Sequence, residues 1–210
     1  MTKLDGAVVL VTGASGGLGS RIAAQLEAAG ATVAKPSRSQ LSGAVEATVT
    51  QHGRLDGIVI ATGVVAFGAA AELERATLAT LFIVNAVDPI ALIVSAQPQL
   101  AQSATAGREP FIVTLSGVVA EAPVAGLAAY SASKAALASF VVAAAREYRR
   151  AGIRIMDARP GHTATELSQH PIAGSAPAFG PALDPDAVAA RIVRAIADGE
   201  KDLPSTAFAV

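Results

Sequence analysis

Strand-length apolar runs alternate with alanine-rich helical stretches along the whole chain, and this alternation limits the fold more than any other feature of the sequence. It is typical of a parallel sheet with helices on both faces, because parallel strands need long crossover connections. The strands are predicted at residues 7–11, 32–34, 57–61, 111–115 and 153–158, with a short sixth near 202–204. The helices are predicted at residues 17–29, 43–52, 76–102, 128–150 and 184–198, the last with Asp184 as N-cap and Pro185 at the first helical position. We expect one three-layered, doubly wound α/β domain over residues 1–210.

The composition fits such a domain and argues against several classes of protein. Hydrophobic residues make up 52% of the 210 residues and charged residues 16%, which is enough apolar surface for a core. The formal net charge is -1 and the basic residues are scattered, so we expect no nucleic-acid partner. The chain has no cysteine, and we expect no metal site. No apolar run approaches the roughly 20 residues of a membrane span, so we expect a cytoplasmic protein without a membrane partner.

A glycine-rich turn, TGASGGLG from Thr12 to Gly19, follows the first predicted strand and precedes the first predicted helix. Gly13 permits a tight turn, Gly17 lets the backbone approach a pyrophosphate, and Gly19 permits close helix packing. The N-terminus of the helix adds unpaired N–H groups and a partial positive charge. A plain strand-to-helix turn is the alternative, since glycine clusters are common in loops. The order of strand, turn and helix favours a dinucleotide site.

The second predicted strand ends in the sequence AKPSR, without the acidic residue that would bond the 2'-hydroxyl of NAD. Its last residue, Arg38, has the charge and the planar donor group to pair with a 2'-phosphate. This favours NADP(H) over NAD(H) as cofactor. A solvated surface arginine is the alternative interpretation.

Tyr130 and Lys134 are four residues apart in a strongly helical segment, so they share one helix face about a turn apart. A free tyrosine has a pKa of roughly 10, too high for ready proton exchange at neutral pH. An ammonium group about 5 Å away contributes about 3 kcal/mol at an effective dielectric of roughly 20, or some two pKa units. The pair therefore predicts a proton-handling site. An amphipathic helix that happens to carry both residues is the alternative.

With this glycine turn and the segment YSASK in one chain, the sequence resembles the short-chain dehydrogenase/reductase family over nearly its whole length. Further marks are the segment RLDGIVIATG ending at Gly63, Asn85 in NAVDPIAL, and Arg159, Pro160 and Gly161 followed by Thr165. The resemblance implies a Rossmann-like fold and reversible hydride transfer between a nicotinamide and a small carbonyl or alcohol substrate. It also implies a homodimer or homotetramer, which the long alanine-rich helices at 76–102 and 128–150 would suit.

The resemblance also implies a role for each matching residue. Tyr130 is the general acid/base, Lys134 holds the ribose hydroxyls and lowers the pKa of Tyr130, and Asn85 supports a proton-relay water. Asn85 bonding the backbone within its own helix is the alternative. The residues expected to line the cofactor are Gly13, Ser15, Gly16, Gly17, Leu18, Gly19, Arg38, Ala61, Gly63, Tyr130, Lys134, Pro160, Gly161 and Thr163. Those expected to line the substrate are Phe67, Val118, Val119, His162 and Phe179.

Three departures from the family pattern affect the prediction. The serine expected thirteen residues before Tyr130 is Gly117, while Ser116 is one place earlier. We favour Ser116 as the hydroxyl that polarises the carbonyl, because a bulge at the strand end would turn it into the cleft; without the bulge it faces the other way. Ala61 and Thr62 replace the usual Asn and Ala before Gly63.

The third departure is a deletion: only the 17 residues from Ser39 to Leu55 separate Arg38 from Asp56. That length allows one crossover helix and no more, so the usual third, edge strand of the sheet is expected to be absent and six strands to remain.

Two other functions are compatible with these motifs. One is a dinucleotide-binding sensor or interaction protein with little or no catalysis. The other, less favoured because the chain lacks length for a sugar-binding domain, is a nucleotide-sugar epimerase.

Overall fold

The computed structural model describes residues 2–208 and shows a parallel sheet between two helical layers. The strands are β1 Val8–Thr12, β2 Thr32–Ala34, β3 Gly57–Ile60, β4 Phe111–Leu115 and β5 Arg154–Ala158. They lie in the order β2-β1-β3-β4-β5, and every neighbouring pair is parallel. The predicted Rossmann-like α/β fold is confirmed.

The sheet has five strands rather than the six that we predicted. The segment expected to form the sixth contributes one isolated parallel bridge, between Leu203 and Ala158. The predicted loss of the third strand is confirmed, since β2 pairs only with β1 and forms one edge of the sheet. From β2 the chain passes through a 3-10 turn, Arg38–Gln40, and one helix directly to β3. The short connection has no residues left for another strand.

Six α-helices connect or flank these strands in the described part of the chain. They are α1 Gly17–Ala28, α2 Ala44–His52, α3 Arg75–Phe82, α4 Asp88–Thr105, α5 Ala128–Tyr148 and α6 Pro185–Asp198. The predicted start of α6 is confirmed, because the Asp184 carboxylate accepts a hydrogen bond from the amide of Asp186. The single helix predicted at 76–102 is instead α3 and α4 joined by a π-helical turn, Ile83–Val87. Apolar periodicity does not reveal such a turn, which is frequent at functional sites.

Each face of the sheet packs against its own helices. Val9, Val11 and Val113 lie with α1 and α6 on one face, and the side chains on the other face, such as Ile58 and Ile112, lie with α2, α4 and α5. β1 and β3 are buried on both faces, which explains why they are continuous apolar runs in the sequence rather than alternating ones.

Two helical stretches, residues 75–105 and 128–151, are long and apolar enough to cross a membrane. This corrects the expectation that no segment approaches that length, because the expectation counted uninterrupted apolar runs rather than mean hydropathy. Both stretches cover the sheet, and they contribute Leu92, Ile93 and Leu137 to the core on that face. Helices that cover the sheet of a globular domain meet the same criterion, so it is weak evidence for a membrane span.

Candidate active site

The glycine turn and the loop after β3 meet at the carboxyl edge of the sheet. β2 lies to one side of β1 and all later strands lie to the other, so the crevice above β1 and β3 is the topological switch point where this class of sheet binds ligands. The amide of Ala61 donates to the carbonyl of Thr12 at 3.1 Å. A Cβ atom at Gly13, whose φ is +71°, would lie 2.7 Å from the Ala61 backbone. The two loops are therefore in direct contact.

The glycine turn fits a dinucleotide diphosphate. A Cβ at Gly19 would lie 2.2 Å from the carbonyl oxygen of Gly13, so the start of α1 packs on the turn only without a side chain there. Gly16 is the N-cap of α1, no side chain caps the helix, and its first turn has no acidic residue. The first N–H groups are therefore left for an anionic ligand. Ser15 is exposed beside them, and Leu18 is half-buried.

The segment after β5 reaches the same turn. A Cβ at Gly17 would lie 2.7 Å from the Cβ of Thr165, so that threonine packs directly on the glycine. Within this segment the Thr163 hydroxyl donates to the carbonyl of Gly161 at 3.0 Å. The carbonyl of Pro160 accepts the amide of Val118 at 2.9 Å, which joins the segment to the end of β4. The residues expected at the phosphates and at the nicotinamide thus line one continuous edge.

Tyr130 and Lys134 lie in the first two turns of α5, as their spacing predicted. The Lys134 ammonium is 6.0 Å from the centroid of the Tyr130 ring, and the side chain is only 5% exposed. Its Nζ donates to the carbonyl of Leu115 at the end of β4, at 2.8 Å. A Cβ at Gly63 would lie 3.3 Å from the same nitrogen. The side chains of α5 therefore reach the ends of both β3 and β4.

Asn85 ties this group to the loop after β3. It lies in the π-helical turn and is fully buried. Its Oδ1 accepts from the amide of Val64, and its Nδ2 donates to the carbonyl of Val64 and to the Ser133 hydroxyl, all at 2.9–3.0 Å. Ser133 in turn donates to the carbonyl of Tyr130 at 2.7 Å. Asn85 bonds the backbone outside its own helix, contrary to the alternative considered above.

The pKa of the phenol is shifted in the opposite direction to the one expected. Burial raises the pKa of Tyr130 to about 12. Burial also lowers the pKa of Lys134 to about 8, although the Asp157 carboxylate acts against this shift. The pKa expected from the sequence rests on the attraction between ammonium and phenolate alone. In the structure the desolvation of both groups outweighs that attraction.

Ser116 does not join the group formed by Tyr130 and Lys134. It is fully buried, and its hydroxyl donates to the Asp157 carboxylate on β5. β4 pairs with β5 in unbroken register up to Leu115 and Ala158, and Gly117 follows with φ +75° and ψ 166°. The geometry does not support our preference for Ser116 as the group that polarises the carbonyl.

Aromatic side chains form part of the expected substrate wall. The rings of His162 and Phe179 are stacked with centroids 4.2 Å apart, and Phe67 is 6.0 Å from Phe179. Phe67 also packs in one apolar cluster with Val119 and Tyr130. The loop over residues 165–183 is held in place, since its Ala173 carbonyl accepts from the Phe67 amide at 2.9 Å.

One residue with a direct bearing on the site, Asp157, was missed, and Arg159 was named only as part of a family motif. One predicted residue lies apart from the site. Arg38 is exposed in the turn after the edge strand β2. Asp157 and Arg159, at the end of β5, carry buried or half-buried charge close to Ser116 and Lys134. The sequence signal was available, because an aspartate inside an apolar strand almost never stays buried without partners.

Comparison with known proteins shows the family. A family model described as short chain dehydrogenase matches residues 35–174, more than half of the chain. A cyclic-di-GMP-binding biofilm dispersal mediator protein of Escherichia coli is 31% identical over 88% of this chain and 81% of its own length. An uncharacterized oxidoreductase of Methylorubrum extorquens is 30% identical over 79% of this chain and 77% of its own length.

Solved structures agree with this result at the level of the fold. A 3-ketoacyl-(acyl-carrier-protein) reductase from Brucella melitensis, complexed with NADH, superposes with a TM-score of 0.84 at 22% identity, over 96% of this chain and 97% of that one. Family membership supports oxidoreductase activity with a nicotinamide cofactor in general terms. By its matched residues and its relatives, this chain belongs to the short-chain dehydrogenase family.

Proposed function

We propose that this protein reduces a small, largely apolar ketone or aldehyde with NADPH, with Tyr130 as the proton donor. The observation that carries the proposal is the convergence of Tyr130, Lys134 and Asn85 on the loop after β3, beside a glycine turn that accommodates a diphosphate. When bound, the nicotinamide supplies the hydride. The protein's own residues supply the proton, the orientation of the substrate and the exclusion of water.

Each residue has a defined part in this proposal. The Tyr130 hydroxyl donates a hydrogen bond to the substrate oxygen and then gives up its proton as negative charge develops there. The Lys134 ammonium stabilises the phenolate that remains and binds the ribose hydroxyls. Asn85 holds Val64 and, through Ser133, the first turn of α5 at a fixed separation. Ser116 has a structural part, since its proton is directed to Asp157.

Burial raises the pKa of Tyr130 to about 12, and this favours its role as a proton donor. At neutral pH the phenol is protonated, which suits a proton donor and not a base. We therefore expect carbonyl reduction to proceed at neutral pH and alcohol oxidation to increase with pH.

The choice of NADPH depends on two observations. Arg38 is exposed, and the segment after β2 has no acidic residue to bind a 2'-hydroxyl. Arg38→Ala should raise the KM for NADPH about tenfold and leave that for NADH within about twofold, because a hydrogen bond to a charged group contributes about 1.5 kcal/mol or more. Lys35→Ala is the control, since the Lys35 ammonium already pairs with Glu27 at 2.7 Å. Equal effects of Arg38→Ala on the two cofactors would contradict the assignment.

The function is tested by following NADPH oxidation at 340 nm across a panel of small aliphatic and aromatic ketones and aldehydes. Tyr130→Phe should lower kcat at least about a hundredfold, the usual contribution of general acid catalysis, with NADPH binding unchanged by calorimetry. The matched control is Tyr148→Phe, which removes the hydroxyl of the chain's other tyrosine, at the far end of the same helix. Equal turnover by the two variants would refute the role of Tyr130.

A non-catalytic sensor remains a second candidate because the site lacks the usual substrate-binding hydroxyl. Position 117 is glycine, and the neighbouring Ser116 hydroxyl is directed away from the cleft. One relative carries a name that describes nucleotide binding and a mediator role rather than catalysis. NADPH binding by calorimetry without oxidation against any carbonyl of the panel would favour this candidate and exclude the reductase.

We further propose that the protein is a homo-oligomer assembled through α4 and α5. Val94 on α4 and Val142 on α5 are 55% and 58% exposed, which is high for side chains of this size. Val142→Glu should lower the mass measured by light scattering to that of the 20.9 kDa chain. Ala190→Glu, on α6 at the opposite face of the sheet, should leave the mass unchanged. A wild-type monomer at micromolar concentration would refute the proposal.

A further inference from the structure

A buried carboxylate lies under the active site. Asp157 is on β5, directly beside Thr114 of β4 in the register of the sheet, and is 3% exposed. One carboxylate oxygen accepts the Thr114 hydroxyl at 2.6 Å; the other accepts the Ser116 hydroxyl and, at 3.2 Å, a guanidinium nitrogen of Arg159. Three donors hold this carboxylate in a fixed position in the sheet, and its negative charge acts on Lys134.

Arg159 does not cancel this negative charge. Its guanidinium also binds the carboxylates of Glu121 and, at 2.8 Å, Asp202. Three carboxylates thus share one guanidinium, and the cluster formed by Asp157, Arg159, Glu121 and Asp202 is net negative. Of these carboxylates, Asp157 is the buried one, where a charge is screened least by solvent.

This anion acts on Lys134 in two ways. The Thr114 and Ser116 bonds to Asp157 hold the strand on both sides of Leu115, whose carbonyl accepts the Lys134 ammonium. The second effect is electrostatic. Burial opposes the charge on Lys134, and the Asp157 carboxylate is the group that favours it.

We propose that Asp157 is a positioning residue for the reaction: its carboxylate fixes the end of β4 that receives Lys134 and keeps that side chain in its ammonium form. The inference rests on the proposed function, because it concerns the residue that lowers the energy of the Tyr130 phenolate. It goes beyond that function by assigning a role to a buried carboxylate on β5, outside the group formed by Tyr130, Lys134 and Asn85.

Few groups face Lys134, so the effect of the Asp157 charge on its pKa can be distinguished from the effects of its other neighbours. Tyr130 faces Lys134 from the same helix, and the carbonyl of Leu115 faces it from β4. Gly63, beside Asn85, faces it from the loop after β3. Of these groups only Tyr130 is titratable, and its pKa of about 12 keeps it neutral over the range in which Lys134 titrates. The charges beyond them are those of the Asp157 cluster described above.

The test is the pH dependence of Asp157→Asn, which keeps the shape of the side chain and removes its charge. In the wild type we expect kcat/KM for carbonyl reduction, and NADPH affinity by calorimetry, to fall with a midpoint near the Lys134 pKa of about 8. In Asp157→Asn both midpoints should move to lower pH. A move of about one unit reduces the ammonium fraction at pH 8 by about fivefold. Thr114→Val is the control, because it removes one hydrogen bond but leaves the charge, and its midpoint should not move.

A second variant decides the question if Asp157→Asn does not fold, as judged by circular dichroism. Arg159→Gln removes the cation beside Asp157 and should move both midpoints to higher pH. The inference is overturned if Asp157→Asn loses activity equally at every pH, or if neither charge variant moves a midpoint. Failure of the proposed function has a different signature: the wild type would bind no NADPH, or would bind it without turnover.

Discussion

Replacing Asn85 by alanine tests how the π-helical turn, the loop after β3 and the start of α5 are held together. The substitution removes three hydrogen bonds of 2.9–3.0 Å, two to the backbone of Val64 and one to the Ser133 hydroxyl. All three are made by a side chain with no solvent exposure. We therefore expect Asn85→Ala to be among the most destabilising single changes outside the apolar core.

The magnitude follows from the count of bonds. At about 1 kcal/mol for each net hydrogen bond, the loss is about 3 kcal/mol, and unsatisfied groups left at Val64 add to it unless water enters. For a domain of this size, about 1 kcal/mol corresponds to a change of about 2–4 °C in the midpoint of thermal unfolding. The expected fall in Tm for Asn85→Ala is therefore about 6–12 °C.

Differential scanning calorimetry of wild type and variant at one protein concentration measures this fall. Ser133→Ala is the matched control, since it removes the side-chain partner of Asn85 and leaves both bonds to Val64. It also removes the bond from the Ser133 hydroxyl to the Tyr130 carbonyl, so two hydrogen bonds are lost and the Tm should fall by about two thirds as much. The double variant should show coupling of about 1 kcal/mol between the two sites. A fall below about 3 °C for Asn85→Ala would refute the reasoning, because it would mean that the three bonds together contribute no more than about 1 kcal/mol.

Three further predictions concern backbone fit and pH. Gly19→Ala should cost about 3 kcal/mol or more and abolish NADPH binding, since its Cβ would lie 2.2 Å from the carbonyl oxygen of Gly13; urea unfolding and calorimetry measure the two effects. Gly117→Ser should lower stability by about 1–3 kcal/mol because its φ of +75° is open almost only to glycine, and unchanged urea unfolding would contradict this. Burial raises the pKa of Asp56, but hydrogen bonds from Ser103, a backbone amide and an arginine outweigh it, and the pKa is lowered from 3.8. Its contribution is therefore complete above that pH and is lost as the pH falls toward the folded-state value, so the stability difference between wild type and Asp56→Asn should be constant at neutral pH and narrow as the pH falls below about 4.

The sequence predicted most of the fold because its signals are local. Apolar runs buried on both faces mark the strands, and the glycine turn, the Asp184 cap and the shortened connection before β3 can each be recognised within about twenty residues. The spacing of Tyr130 and Lys134 likewise predicted a shared helix face, because helical geometry is set by the chain itself.

The errors concern properties that depend on distant segments. The π-helical turn at Asn85 is stabilised by bonds to Val64 and Ser133, which lie 21 and 48 positions away. The direction of the Ser116 hydroxyl depends on Asp157, 41 positions away on the neighbouring strand. Local sequence patterns carry no information about such distant hydrogen-bond partners.

The sequence alone determined the five strands, most of the helices, the missing edge strand and the residue types available for chemistry, since these depend on short-range hydrophobic periodicity and glycine placement. Only the tertiary structure decided which polar groups face each other and how deeply they are buried. The pKa of Tyr130 shows the difference, because the neighbouring ammonium follows from four-residue spacing, whereas the desolvation that raises that pKa to about 12 arises from the packing of the whole site.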